Sequence, residues 1–330
     1  MPRLPISLAC RGYDRVRALA DGRVGVEGCE LTLLPLGPEE VFFRAFSRAE
    51  FDVSELSLST YLMTLGRDDP PYVALPVFVS RMFRHSAIYV RTDRGISEPA
   101  DLKGRAVGVP EYQVTAAVWV RGMLQDEYGV APSDLRWRTG GLEEPGRREK
   151  LALALPPGIE VRPVASDRTL SRMLAEGEID ALVAPRVPSC FARGAPGVGR
   201  LFADHRSVER AYYRKTGFFP IMHVIGIRRA LLERHPWLAR SVYKAFAEAK
   251  RVATAELADL TALQATLPFL AAELEDTRAL MGEDYWPYGV EANRPALEAL
   301  VRYSFEQGLS PRRLAVEELF APATLEGFRV

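Results

Sequence analysis

The sequence predicts a two-lobed α/β protein with a helical C-terminal tail. Three observations lead there. The chain has 330 residues, too many for one ordinary core. Strand-like and helix-like runs alternate along it. Two strand-like stretches about a lobe's length apart each carry a histidine. In Pro76–Val90, Arg81, Arg84 and His85 stand between the apolar runs Val77–Val79 and Ala87–Val90, whose β-branched and aromatic content suits buried strands. In Gly217–Ile227, His223 lies inside a second such run. We read these stretches as the crossings between two lobes. Lobe 1 is then residues 1–92 with 226–330, lobe 2 is 93–225, and Ala87–Val90 and Ile221–Ile227 are expected to neighbour each other as hinge strands.

Taken in order, Leu4–Cys10 reads as a strand, and Arg11–Asp14 as a turn into a helix through Val16 and Leu19 that ends near Gly22. Glu30–Leu36 is a second strand, Pro38 opens a helix bearing Val41, Phe42 and Phe46, and Phe51–Leu56 is a third strand. Ser57–Leu65 reads as helical and Tyr72–Val79 as the strand leading to the first crossing. The pattern restarts after Ser97. Pro99–Gly104 is a helical turn, Arg105–Val109 a strand, and Glu111–Thr115 a loop opening a long helix that Gly129 stops. Leu135–Thr139 is a strand, Gly140–Gly146 an irregular loop, Thr169–Glu176 a helix, Asp180–Pro185 a strand and Ser207–Tyr213 a helix. From Arg229 onward the chain reads as almost entirely helical, and Pro236 suits a first turn.

Composition narrows the function. A 48% hydrophobic, 26% charged chain is that of a soluble globular protein, and 43 basic against 43 acidic residues give no field to draw nucleic acid or an anionic membrane. The cysteines Cys10, Cys29 and Cys190 form no CxxC pair and no even framework, which suits a reducing compartment. Leu8-Ala9-Cys10 mimics the end of a lipoprotein signal, but Pro2–Ala9 is too short for a charged region plus an apolar core. No run is long and apolar enough to span a bilayer. The expectation is a cytoplasmic protein with no nucleic-acid or membrane partner; a homo-oligomer stays open.

In an open α/β sheet, ligands meet the loops that leave the carboxyl ends of strands. Those loops offer Arg11, Tyr13, Asp14 and Arg15; Ser54, Glu55, Ser57 and Ser59; Arg81, Arg84 and His85; Tyr112, Gln113 and Thr115; Arg186; and His223. Cations beside apolar strands are costly to bury without an anion, so Arg81 or Arg84 is expected to grip a carboxylate. Backbone N–H groups at Gln113–Thr115 would help, since a helix begins there; Thr115 is alternatively just an N-cap. Arg15, Ser57, Tyr112 and Arg186 complete the expected substrate contacts. His85 and His223 are read as proton-transfer groups facing one crevice, with Glu55 the carboxylate that orients or recharges one of them. The opposing reading makes both core histidines. A metal on His85, His223 and Glu55 is left open, for the spacing is not diagnostic. Walker, GxSxG, GxGxxG and HExxH signatures do not occur in their required settings.

Several segments carry a resemblance. Tyr13-Asp-Arg-Val-Arg-Ala-Leu19, Val53-Ser-Glu-Leu-Ser-Leu-Ser59, Ser80-Arg-Met-Phe-Arg-His-Ser86, Asp101-Leu-Lys-Gly104, Val107-Gly-Val-Pro-Glu-Tyr-Gln113, Gly140-Gly-Leu-Glu143 and Phe219-Pro-Ile-Met-His223 resemble the 4,5-dihydroxyphthalate decarboxylase family. The likeness spans most of residues 1–230, and Asp101–Gly104 is shared with solute-binding proteins. It implies the type II periplasmic-binding-protein-like fold, with decarboxylation in place of transport, and assigns no catalytic side chain. The implied reaction is non-oxidative loss of carbon dioxide from a hydroxylated aromatic dicarboxylate, 4,5-dihydroxyphthalate to protocatechuate, without an organic cofactor. Each carboxyl carbon of that substrate lies para to a hydroxyl, so an ionised phenol sends electron density there and a proton added to the carbon gives a dienone that loses carbon dioxide. The competing expectation is a solute-binding protein that captures a small aromatic or carboxylate anion without chemistry.

Overall fold

The computed structural model describes residues 2–66 and 70–326. Two sheets organise the chain. The first has the order β2-β1-β3-β11-β4 and is built from β1 (Leu4–Ala9), β2 (Cys29–Leu34), β3 (Val53–Ser57), β4 (Tyr72–Arg81) and β11 (Ile221–Arg228). Parallel pairing joins β1 to β2 and β3, while β11 runs antiparallel between β3 and β4. The second sheet has the order β10-β5-β9-β6-β7-β8 and is built from β5 (Ile88–Arg91), β6 (Ala106–Val109), β7 (Arg136–Thr139), β8 (Glu160–Pro163), β9 (Ala181–Val183) and β10 (Val198–Arg200).

The chain passes from the first sheet to the second between β4 and β5, and returns between β10 and β11. The expected pairing of Ala87–Val90 with Ile221–Ile227 does not form. β5 pairs antiparallel with β9 and β10, while β11 lies wholly in the first sheet, because β4 continues past Val79 to Arg81 and supplies β11 with a full antiparallel partner. The strands β8 and β10, short and only partly buried, were not in the expected series, for neither carries an apolar alternation long enough to register.

The helices are α1 (Asp14–Ala20), α2 (Pro38–Arg48), α3 (Leu58–Thr64), α4 (Thr115–Tyr128), α5 (Leu170–Glu176), α6 (Ser189–Ala192), α7 (His205–Thr216), α8 (Arg229–Arg234), α9 (Leu238–Ala258), α10 (Leu270–Met281) and α11 (Arg294–Glu306). In α2, Pro38 sits at the first position and Glu39 and Glu40 in the first turn, where free N–H groups favour acids, while Val41, Phe42 and Ala45 face the core. α4 is buried from Thr115 to Leu124, and Gly129 ends it in the left-handed conformation at φ 65°. The tail is less helical than expected: the 259–269 stretch between α9 and α10 is irregular, and after α11 the chain makes short 3-10 turns.

That tail binds both sheet units together. α9 packs on α1, and α11 packs on α4 so closely that a Cβ at Gly122 would lie 2.4 Å from the Tyr303 ring. The Gln307 side chain accepts from Arg121 Nε (2.7 Å) and donates to the Val118 carbonyl (3.0 Å). Trp119, 1% exposed, donates its indole N–H to the Ile221 carbonyl at 2.9 Å, tying α4 to β11. Burying such a ring stabilises the fold by roughly 2–3 kcal/mol.

Candidate functional site

The site grows from adjacent strand ends. β1 and β3 are parallel neighbours, so the loop after β1 and the end of β3 emerge on one side, and β11 crosses the end of β3 with His223 opposite Ser57. Glu55 on β3 is fully buried. Its Oε2 accepts the Arg11 backbone N–H at 2.9 Å, and its Oε1 accepts the Tyr13 hydroxyl at 2.7 Å and lies 2.6 Å from His223 Nδ1. Burial by itself would raise the Glu55 carboxyl, but the hydrogen bond and charge of His223, with the Arg11 and Tyr13 donors, bring it below the ordinary value. An ionised carboxylate therefore fixes His223 Nδ1 as the protonated nitrogen and aims the other, Nε2, away from Glu55. No protein group among the described residues hydrogen-bonds Nε2, and the edge of the ring packs on Phe42 of α2 at 4.8 Å.

Hydroxyls gather beside this pair. Thr115, the first residue of α4, lies 3.0 Å from the Ser57 hydroxyl and accepts the Ser59 N–H at 3.1 Å, joining the second sheet's helix to the end of β3. Thr60 donates to Ser57 Oγ at 3.2 Å, and the buried Ser59 hydroxyl has no partner. Ser57 and Thr115, both buried, are thus brought together at the end of β3.

The two arginines of the first crossing part company. Arg81, 7% exposed, spends its fork on carbonyls: Phe219 O at 3.0 Å and Pro287 O at 2.7 Å, plus the Asn293 side chain. It stitches β4 to the second crossing and to the tail. Arg84, 8% exposed, touches Met222 Sδ at 3.2 Å and the Pro185 carbonyl at 3.5 Å, one from each sheet unit, and forms no ion pair with a carboxylate among the described residues. Burial pushes its guanidinium down to about 10, against a modest rise from the Glu209 charge, and it remains a cation at neutral pH.

His85 does not join His223. Its ring is 1% exposed, lies edge-on to Phe202 (5.2 Å) and Tyr212 (5.1 Å), and neither nitrogen has a partner. Burial, with the His205 charge, lowers it to about 4. Tyr112 is a core ring under Arg121, 3.7 Å away. The Gln113 N–H and amide both point to Glu149, at 3.3 and 2.8 Å, as does the Tyr112 N–H, so backbone donors expected to hold substrate already hold a carboxylate of this chain. Burial leaves Glu149 raised above its ordinary value. Arg15 lies between the Tyr13 and Trp286 rings, 4.2 Å from each, and its Nε donates to the Val79 carbonyl at 2.8 Å. Arg186 is exposed and pairs with Glu39 at 3.2 Å.

A cleft of about 480 Å³ between α2 and the second sheet's loops is lined by Glu39, Phe43, Glu111, Arg147, Lys150 and Arg186. Its size suits a small ligand. Arg147 bridges Glu39 of α2 (3.0 Å) and Glu111 (2.7 Å), and Lys150 also reaches Glu111 at 2.6 Å. Neither Arg84 nor His223 lines this cleft, but Arg84 binds Pro185, which does, and His223 packs on Phe42, the neighbour of Phe43 in α2. The Arg147 bridge escaped the sequence reading because its partners come from segments far apart in the chain. No group of three or more His, Cys, Asp or Glu able to hold a metal occurs among the described residues, nor a helix long and apolar enough to cross a membrane.

Comparisons with known proteins fit this geometry. The chain is similar in fold to the periplasmic aliphatic sulphonate binding protein SsuA of Escherichia coli (TM-score 0.52, 15% identity, 98% of this chain and 99% of that one). It is likewise similar to the periplasmic sulfonate-binding protein SsuA of Methylobacillus flagellatus (TM-score 0.53, 12% identity, 98% and 93%). These likenesses show the two-lobed periplasmic-binding-protein fold and nothing of function. No family model matches. In sequence the chain is 48% identical over 330 residues, all of both chains, to a 4,5-dihydroxyphthalate decarboxylase of Comamonas testosteroni. It is 47% identical over 218 residues, 66% of this chain and 84% of the relative, to one of Pseudomonas putida. Identity of that extent over the whole length means that this chain belongs to the 4,5-dihydroxyphthalate decarboxylase family.

Proposed function

We propose that this chain is a cytoplasmic, cofactor-independent carboxy-lyase that converts 4,5-dihydroxyphthalate to protocatechuate and carbon dioxide. The observation that carries the mechanism is the Glu55–His223 pair at 2.6 Å, with no hydrogen bond to Nε2 among the described residues. Decarboxylation straight from the aromatic ring would leave an anion in the ring plane, where the π system cannot spread it. Ionisation of the para phenol avoids this by sending density to the carbon that bears the carboxylate. His223, as imidazolium held on Glu55, gives its Nε2 proton to that carbon. The C–C bond then breaks, its electron pair restores the aromatic ring, and carbon dioxide departs. The phenolate regains a proton from solvent, and so does His223.

Arg84 takes the carboxylate that stays on the ring. It is a buried cation with no carboxylate in ion-pair contact among the described residues, and it stands between Met222 of the first sheet unit and Pro185 of the second. The hydroxyls of Ser57 and Thr115 release each other to hydrogen-bond the same substrate. The sheet units act as lobes that turn about the crossing segments and close over the ring, excluding water. The three free, buried cysteines accord with a reducing compartment. Incubating the purified chain with 4,5-dihydroxyphthalate and analysing products tests the reading: protocatechuate and carbon dioxide are expected in equal amounts. Tight binding with no product would establish a binding protein instead.

A further inference from the structure

The Glu55 carboxylate has two oxygens and three donors, and the sharing is uneven. Oε2 takes the Arg11 N–H, whereas Oε1 takes both the Tyr13 hydroxyl at 2.7 Å and His223 Nδ1 at 2.6 Å. Two donors on one oxygen divide its charge, so whatever Tyr13 draws is withheld from the imidazole. We infer that Tyr13 is a positioning residue for the decarboxylation, a hydroxyl that shares Glu55 Oε1 with His223 and sets how firmly the imidazole keeps the proton it delivers.

The surroundings of Tyr13 are built for that task. Its ring is clamped by the Arg15 guanidinium at 4.2 Å, and Arg15 is itself fixed by the Trp286 ring on its other face and by the Val79 carbonyl. Ser80, which stands opposite His223 in the β4–β11 ladder, acts to lower the Tyr13 phenol and so makes it a better donor. Burial, then the Glu55 charge, raises the Tyr13 phenol far above its ordinary range, so it stays a neutral donor throughout the working pH range. The other titratable or charged groups facing Glu55 and His223 are Cys10 at the end of β1 and Arg15 on α1, while α2 presents the Phe42 ring. Cys10 is held neutral by burial, with the Glu55 charge adding to the effect. Tyr13 is therefore a group whose removal alters the charge His223 feels without altering the formal charge of the site.

This inference rests on the proposed role of His223, and the test separates the two. Tyr13→Phe keeps the ring and the Arg15 contact and deletes the hydroxyl. All of the Oε1 charge then falls to His223, which holds its proton more firmly. Followed by NMR, with the signal assigned by its loss in His223→Gln, the His223 ring titration is expected to move upward by about 0.5–1 pH unit, the worth of one hydrogen bond. The alkaline limb of the kcat/KM profile for carbon dioxide release should move with it. A ring titration that moves while the rate profile stays fixed keeps the sharing of Glu55 Oε1 but overturns His223 as proton donor, and with it the role of Tyr13 in the decarboxylation. A ring titration that stays where it is in the parent overturns the inference. Should Tyr13→Phe fail to fold, Ser80→Ala weakens the same donor and is expected to move the titration in the same direction by less; an unmoved titration there is equally decisive against it.

Discussion

Replacing Arg84 with methionine should weaken catalysis and strengthen the fold at once, because the free protein carries this cation at a loss. Arg84 is 8% exposed, its nearest polar contacts are a thioether and a carbonyl at 3.5 Å, and burial brings it down to about 10. A fall of that size corresponds to roughly 3 kcal/mol of destabilised charge. Methionine fills a similar volume beside Met222 without a charge, so the substrate-free variant should gain roughly 1–3 kcal/mol. Its melting temperature should rise by about 2–6 °C. A carboxylate gripped by the fork contributes roughly 3 kcal/mol through two charge-assisted hydrogen bonds, which is about 10² in kcat/KM, and the loss should fall mostly on KM. Thermal melts and steady-state kinetics of carbon dioxide release measure both. A variant with kcat/KM within about twofold of the parent would remove Arg84 from the site, and a lower melting temperature would show that the guanidinium is satisfied after all.

Four further substitutions probe the remaining parts. Glu55→Gln and His223→Gln should each cut turnover by roughly 10²–10⁴-fold while keeping a native far-UV spectrum; near-parent rates in both would end the proton-transfer scheme. His85, held at about 4 against an ordinary 6.5, contributes stability that is complete above that ordinary value and is lost as pH falls toward the folded one. His85→Phe should therefore spare turnover and remove roughly 3 kcal/mol of acid sensitivity, read as a flatter stability profile between those pH values. Glu39→Gln breaks the contacts of α2 with Arg147 and Arg186, and should raise KM severalfold and enlarge the radius of gyration of the free protein in solution scattering.

Much of the alternation was legible because it depends on neighbours in sequence. Gly129 closes α4 and Pro38 opens α2 as local chemistry dictates. The Glu55–His223 pair was legible in part, since each is a polar group inside a short strand-like run. What the sequence hides is partnership over long separations. His85 and Arg84 are adjacent in an apolar stretch, yet Phe202 and Tyr212 enclose one ring while Met222 and Pro185 flank the other side chain. Gln113 and Tyr112 offered free backbone donors, but Glu149 arrives from an irregular loop whose path no periodicity specifies. The hinge pairing failed likewise: strand type could be read, but β11 was free to choose among edges, and the longer partner β4 won. Tyr13 stood in the correct loop, and its role depends on a carboxylate brought in by a different strand.

Arg81 and Arg84 show why residue type at a crossing is insufficient evidence and why partners decide. Both are buried cations on one short segment, both are pushed down chiefly by burial, and neither has a carboxylate in ion-pair contact among the described residues. Arg81 delivers its donors to two carbonyls and an amide oxygen of the tail, and its guanidinium becomes a structural knot whose loss would loosen the 287–293 segment. Arg84 finds a thioether and one distant carbonyl, and among the described residues no carboxylate is in ion-pair contact with it. An anion with a flat carboxylate fits that fork better than chloride does, because two parallel N–H donors match two oxygens. Met222, which Arg84 touches, and His223, which Glu55 holds, are consecutive residues of β11. A shift of that strand by one residue would turn His223 away from Glu55, so the proposed proton transfer depends on its antiparallel seat between β3 and β4.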